Sequence, residues 1–387
     1  MSLWGPLEER FATQRPRRML ALDGGGIRGV LALEIVRELE RQLREATGGG
    51  PGFRLCDWFD YVAGTSTGAI IAAGLACGMS SDELLDFYVS TGPQMFEKRF
   101  LLNRLKSFYK ADPLEKKLRE VYGKDTDLTP ANLRCLLLVV TRNVTTDSPW
   151  PISSNPLARY NDPARKDCNL RIPLWQLVRA STAAPIFFPP ETLQWDKDDP
   201  AKTFVFVDGG VTPYNNPAFL LFRMATMPAY RLEWKTGEKN MLLVSVGTGA
   251  APTVDDDIAS PEKALPGQLV GLPGTFMYGM LVDQDVNCRA IGRCVAGDAI
   301  DREMGDTIPR DASGAPIPLT TDLGRAFLYA RYNADISPDG IKAMGLTGID
   351  TGRIGKMDAV DQIDSLRRIG RKAAEQVNIR AFGGFVG

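Results

Sequence analysis

Residues 19–29 read MLALDGGGIRG, an apolar run that ends on an acidic residue and three consecutive glycines. Met19 to Leu22 is too short for a helix and holds no polar residue, the pattern of a strand buried on both faces. The glycines supply a turn, and from Leu31 to Ala46 the apolar residues Ile35, Val36, Leu39 and Leu43 recur at helical spacing. Gly48-Gly49-Gly50-Pro51 stops that helix. Strand, glycine turn and amphipathic helix together form the opening unit of an open α/β sheet.

The alternation continues down the chain. A second strand, Tyr61 to Ala63, runs into Gly64-Thr65-Ser66-Thr67-Gly68 and a helix of small residues. Cys135 to Val140, Phe204 to Val207 and Met241 to Val246 read as further buried strands, separated by helical patterns such as Leu174 to Ala180. This predicts an α/β fold with a mainly parallel sheet covered on both faces. Residues 1–17, polar and rich in Arg and Pro, read as an unanchored leader, 18–250 as the core, and 251–387 as loops and helices completing the same domain. Residues 249–275 and 305–320 read as long surface loops, and about 359–377 as a helix packed on the core.

Composition narrows the chemistry. Among 387 residues, 46 Lys and Arg stand against 47 Asp and Glu, so no global basic field points to nucleic acid. Hydrophobic residues make up 44% of the chain, ample for a sizeable core. There is no histidine, which excludes every Ser-His-Asp, Cys-His and histidine-metal arrangement within the chain. Six cysteines without a CxxC pair read as reduced, mostly buried thiols of a cytoplasmic protein. The longest strongly apolar stretch, Ala69 to Met79, is too short to span a bilayer, so any membrane contact would be peripheral.

Three motifs carry the chemistry. Gly24-Gly25-Gly26-Ile27-Arg28-Gly29 satisfies the dinucleotide spacing GxGxxG, but the acidic residue expected about 20 residues on falls in the Gly48–Pro51 turn with no strand before it. A triple glycine before a helix also presents unobstructed amides, an anion or oxyanion site. Gly64-Thr65-Ser66-Thr67-Gly68 is a GxSxG between a strand and a helix, the context of a nucleophile elbow, with Ser66 at the turn. With no histidine, the base for Ser66 is a lysine or a carboxylate. Asp208 ends the strand Phe204–Val207 and is followed by Gly209-Gly210, which places it where open α/β sheets assemble sites.

DGGGIRG at 23–29, GTSTG at 64–68 and DGG at 208–210, in that order, resemble the patatin-like phospholipase family. Ala180 to Pro185, Phe188-Pro189-Pro190 and Val244 to Gly249 are similar to further segments of that family, and the likeness covers roughly 18–250. The resemblance implies a three-layer α/β/α sandwich and a lipid acyl hydrolase of the phospholipase A or lysophospholipase type. Ser66 would be the nucleophile and Asp208 its base. The amides around Gly24, Gly25 and Gly26 would form the oxyanion hole, with Arg28 in the basic position of that motif, and Gly29, Gly64, Gly68, Gly209 and Gly210 would be framing glycines of the three motifs. No metal or other cofactor is implied, and the implied partner is a phospholipid or other lipid ester; a cytoplasmic protein without a membrane span would meet it by peripheral contact at the inner membrane surface. A catalytically silent lipid-binding homologue is the alternative, and an oxidoreductase the remote one. The basic, amphipathic Glu97 to Lys110 reads as a helix that lies on an anionic membrane surface or as a lid over an acyl pocket, and Val270 to Leu281 as a candidate wall of that pocket.

Overall fold

The computed structural model describes residues 2–96, 113–185, 188–196, 198–250 and 261–386, the side chains of 96 and 261–275 excepted. The basic segment 97–110 therefore lies outside the described residues. Among those described, nine strands form one sheet in the order β5-β6-β3-β2-β1-β7-β9-β8, with β4 paired to β3. The strands are β1 (Arg17–Leu22), β2 (Tyr61–Thr65), β3 (Leu136–Asn143), β4 (Ser148–Ser153), β5 (Glu191–Gln194), β6 (Thr203–Asp208), β7 (Met241–Val246), β8 (Arg293–Ala296) and β9 (Leu328–Tyr332). From β3 through β8 the pairings are parallel, while β4, β5 and β6 add antiparallel pairings at one side.

β1 lies at the centre because its neighbours on both sides are as apolar as it is. Leu20 pairs with Val62 on β2 and with Val244 on β7. Alternation then divides the sheet: Leu20, Leu22, Val62, Leu137, Val139 and Val244 face one layer, and Met19, Ala21, Ala63, Leu138 and Leu243 the other. The first layer holds the helices Gly29–Ala46, Thr67–Ala76, Leu174–Ser181 and Ile363–Ala374. The second holds the helix Ala218–Thr226 and the C-terminal end of the helix Pro261–Ile291. The result is the three-layer α/β/α sandwich. Leu20 and Leu22 are fully buried, so truncating either to Ala removes about 2–5 kcal/mol.

Two expectations change. Within residues 1–17, read from the sequence as unanchored, the helix Glu8–Ala12 is tied to the core: its Arg10 donates to the buried Asp60 carboxylate at 3.0 Å and to the carbonyls of Cys56 and Phe59 at 2.5 and 2.6 Å. Leu7 is buried beside it. A polar composition suggested solvent exposure, but the buried Asp60 draws arginines inward, since an ionised carboxylate in the interior requires partners. The stretch 249–275 is likewise not a loop throughout, because a helix begins at Pro261 and runs to Ile291. Proline at the first helical position is no obstacle there, its missing N–H being one that a helix start leaves unpaired anyway. The six cysteines are free thiols, five of them buried. No helix of the described residues is long and apolar enough to cross a membrane.

Candidate active site

The sheet brings Ser66 and Asp208 together through β3. β4 pairs with β3 along 138–143, β2 along 136–140 and β6 along 141–143. A strand has two edges, so β2 and β6 share the edge opposite β4, one beginning where the other stops. Thr65 thus lies opposite Val140 and Asp208 opposite Thr141, on consecutive positions. β2 approaches this junction from below and β6 from above. The residue after Thr65 and the last residue of β6 must therefore meet.

Ser66 holds φ 53° and ψ −122°, a region that side chains other than glycine rarely occupy. The turn that forces it is tight. A Cβ on Gly64 would lie 2.1 Å from the Gly68 carbonyl oxygen, and one on Gly68 would lie 2.2 Å from that of Leu22, so both flanking positions exclude a side chain. The strained backbone is tied down by Ser181, whose hydroxyl accepts from the Ser66 amide at 2.9 Å and donates to the Val140 carbonyl at 2.6 Å. Immediately after Ser66 the helix Thr67–Ala76 begins, and its amide-bearing end favours negative charge at the serine.

The Ser66 hydroxyl donates to Asp208 Oδ2 at 2.6 Å. The other oxygen, Oδ1, accepts from the Gly210 amide at 2.6 Å, and the Asp208 amide donates to the Ala183 carbonyl at 2.9 Å. Gly209 packs against β3, a Cβ there lying 2.2 Å from the Val140 carbonyl oxygen. Burial pushes the Asp208 carboxyl up from 3.8 to about 6, against the stabilising hydrogen bonds from Ser66 and Gly210 and the nearby Arg179 charge. A carboxylate in that range is a stronger proton acceptor than an exposed one and is ionised at neutral pH.

The glycine loop closes the other side. A Cβ on Gly24 would come within 3.2 Å of the Ser66 Cβ, so the loop lies directly against the serine. The Gly24 amide donates to the Asn215 carbonyl at 3.1 Å, and the Gly24 carbonyl accepts from Thr248 Oγ1 at 2.8 Å. This commits Gly24 to holding the loop, and Gly25 and Gly26, whose amides have no acceptor among the described residues, are the candidate oxyanion donors. A side chain on Gly25 would strike Thr248, and one on Gly26, at φ +60°, would strike Met357. Arg28 is part of the brace: its amide donates to the Gly25 carbonyl at 3.2 Å and its Nη1 to the Gly249 carbonyl at 3.0 Å. Burial lowers the Arg28 guanidinium to about 10. Gly29 packs on Thr67, bringing the first two motifs into contact.

A serine in hydrogen-bond contact with a buried carboxylate, beside a glycine loop, can perform acyl transfer. A model of the patatin-like phospholipase family matches residues 20–222, more than half of the chain. The chain belongs to the patatin-like phospholipase family. Its relatives include a cGAMP-activated phospholipase of Vibrio cholerae, 33% identical over 215 residues that make up 52% of this chain and 56% of the relative. Patatin group J-1 of Solanum tuberosum is 29% identical over 269 residues, 65% of either chain. The chain thus spans between 56% and 65% of the lengths of these patatin-like relatives. The crystal structure of VipD from Legionella pneumophila aligns with 92% of this chain and 67% of its own at 15% identity and a TM-score of 0.33, too loose a likeness to carry an argument.

Within this patatin-like site, the motif reading omitted several residues that complete it. Ser181 and Ala183 lie in the segment Ala180 to Pro185, and Thr248 in Val244 to Gly249, so their signal was present as motif similarity without an assigned task. Asn215 had no such signal. From the second layer, Met277 brings its methyl to 3.7 Å from where a Cβ on Gly210 would stand, so the helix Pro261–Ile291 abuts the site.

Proposed function

We propose that this patatin-like protein is a lipid acyl hydrolase of the phospholipase A or lysophospholipase type, with Ser66 as nucleophile, Asp208 as general base and Gly25 and Gly26 as oxyanion donors. The observation that carries the reading is the 2.6 Å hydrogen bond from Ser66 Oγ to Asp208 Oδ2, in a protein with no histidine to take that role.

The chemistry follows from the geometry. As Ser66 Oγ attacks the ester carbonyl carbon, its proton passes to Asp208 Oδ2 along the existing hydrogen bond. Negative charge gathers on the former carbonyl oxygen, and amides already oriented toward it need no reorganisation; one such donor is worth about 10²–10³ in rate. Collapse of the tetrahedral intermediate expels the alcohol, which takes the proton from Asp208 and leaves an acyl ester on Ser66. Water then attacks that ester with Asp208 again as base, the fatty acid leaves, and the proton returns to Ser66. The Gly210 amide on Oδ1 keeps Oδ2 aimed at the serine throughout.

The test is fatty-acid release from phosphatidylcholine vesicles by the wild type, Ser66→Ala and Asp208→Asn. Because one relative is named as cGAMP-activated, each protein is assayed with and without cGAMP. Release by the wild type and loss in both variants supports the reading. Release that survives Ser66→Ala overturns the nucleophile, and no release under either condition favours a silent lipid-binding homologue.

A further inference from the structure

The glycine loop begins at a buried ion pair that no motif announces. Asp23, directly before Gly24, is fully buried and held in a two-pronged contact by Arg331, with Nη1 on Oδ1 at 2.9 Å and Nη2 on Oδ2 at 2.5 Å. Arg331 follows 308 residues later on β9 and lies beyond residues 20–222, the part that matches the family. In the sheet β9 is two strands from β1, with β7 between them. The guanidinium reaches across β7 and donates on the way to Ser245 Oγ at 2.7 Å. Ser245 Oγ donates in turn to Asn216 Oδ1 at 3.3 Å, and the neighbouring Asn215 carbonyl accepts the Gly24 amide. The first two residues of the loop are thereby fixed from two directions by one connected network.

Two considerations assign this network a task. The desolvation cost of an ion pair taken out of water can exceed its Coulombic gain, and an apolar pair of similar volume often serves stability equally well. Stability alone is therefore a weak reason for it. Glycine residues, in turn, have little conformational preference, so a triple-glycine loop presents its amides in one direction only if its ends are fixed from outside. We infer that Asp23 and Arg331 form a positioning pair that orients the Gly25 and Gly26 amides toward an ester carbonyl at Ser66. This makes strand Leu328–Tyr332 part of the catalytic apparatus. The inference rests on the acyl-hydrolase reading given above.

The sheet provides its own control. Arg293 on β8 is also buried, donating to Glu238 Oε2 at 2.8 Å, but it ties down the carbonyls of Thr321 and Pro318, away from the glycine loop. The test compares Asp23→Asn/Arg331→Met with Glu238→Gln/Arg293→Met, since double substitution avoids stranding a lone buried charge. Two readouts are taken on folded protein: kcat and KM for a p-nitrophenyl ester, and the rate at which a fluorophosphonate labels Ser66, a reaction that places a phosphoryl oxygen in the oxyanion position. The Asp23/Arg331 variant is expected to lose about 10–100-fold in kcat and in labelling rate, with KM within about twofold, because misdirected donors weaken only the transition state. The control variant keeps both rates. Arg331→Lys, which retains the charge but not the fork, is expected to fall between the two and serves where the double variant does not fold. A folded Asp23/Arg331 variant with wild-type kcat and labelling rate overturns the inference alone. A wild-type Ser66 that the fluorophosphonate does not label overturns the acyl-hydrolase reading and the inference with it.

Discussion

Thr65 and Asp208 occupy consecutive positions on one edge of β3, opposite Val140 and Thr141, although they come from strands that run in opposite directions. The contact between Ser66 and Asp208, 142 residues apart in sequence, is thus a property of sheet register rather than of a flexible loop. A carboxylate held by a strand end and a serine held by a strained turn have little freedom to part. A weak base needs that constraint, because its proton transfer depends on a maintained short contact.

Ser66→Ala and Asp208→Asn are each expected to lower kcat for p-nitrophenyl esters by at least about 10³-fold, since either change removes the group that starts the reaction. Steady-state kinetics, with circular dichroism to establish folding, measure this directly. A loss confined to KM would contradict the assignment.

Activity should also follow the ionisation of Asp208. Its carboxyl is raised to about 6 chiefly by burial, so kcat/KM is expected to climb through pH 6 and level off above about 7. The stability effect has the opposite sign. The folded protein retains this proton between about pH 4 and 6, where the unfolded chain has lost it, so folding weakens as pH rises through that window. At pH 7.5 the buried charge costs at most about 3 kcal/mol, and Asp208→Asn is expected to melt at a higher temperature than the wild type. The difference should vanish near pH 4. A variant that melts lower at pH 7.5 would show that the hydrogen bonds from Ser66 and Gly210 outweigh the desolvation.

Ser181→Ala removes the acceptor of the Ser66 amide and the donor to Val140 while leaving both reacting groups in place. It is expected to cost about 1–3 kcal/mol of stability and to lower kcat about tenfold, as the strained turn loses its tether. Thermal melting and kinetics on the same preparation separate the two effects. Unchanged kcat would show that the turn is held by the flanking glycines alone.

The family, the fold and the residues gathered at the candidate site were legible in the sequence because they are written in contiguous motifs. The glycine loop, the serine turn and Asp208 each lie at a strand end with glycines beside them, and strands such as Met241–Val246 appear as uninterrupted apolar runs. What escaped reading depends on partners distant in sequence. β9 reads LYARY, and its arginine suggests an exposed stretch until Asp23 is seen beneath it. Arg10 misled in the same way, since only the fold brings it to Asp60. The helix Pro261–Ile291 was obscured by Pro266 and Pro273, which interrupt the local pattern that marks a helix.

Arg10→Ala tests the corrected view of the N-terminal segment. It withdraws one partner of the buried Asp60 and uncovers the carbonyls of Cys56 and Phe59, so a loss of about 2–4 kcal/mol is expected, with kcat unchanged in the folded fraction. Denaturant unfolding measures the loss. A change below about 0.5 kcal/mol would return residues 1–17 to the status of an unanchored leader.

Quenching the protein in acid during turnover of a long-chain p-nitrophenyl ester and locating the acyl group by peptide mass tests the role of Ser66 at the reacting atom itself. An acyl ester on Ser66 is expected, absent in Ser66→Ala and formed far more slowly in Asp208→Asn. Product release without an acyl group on Ser66, or an acyl group on another residue, would contradict that role.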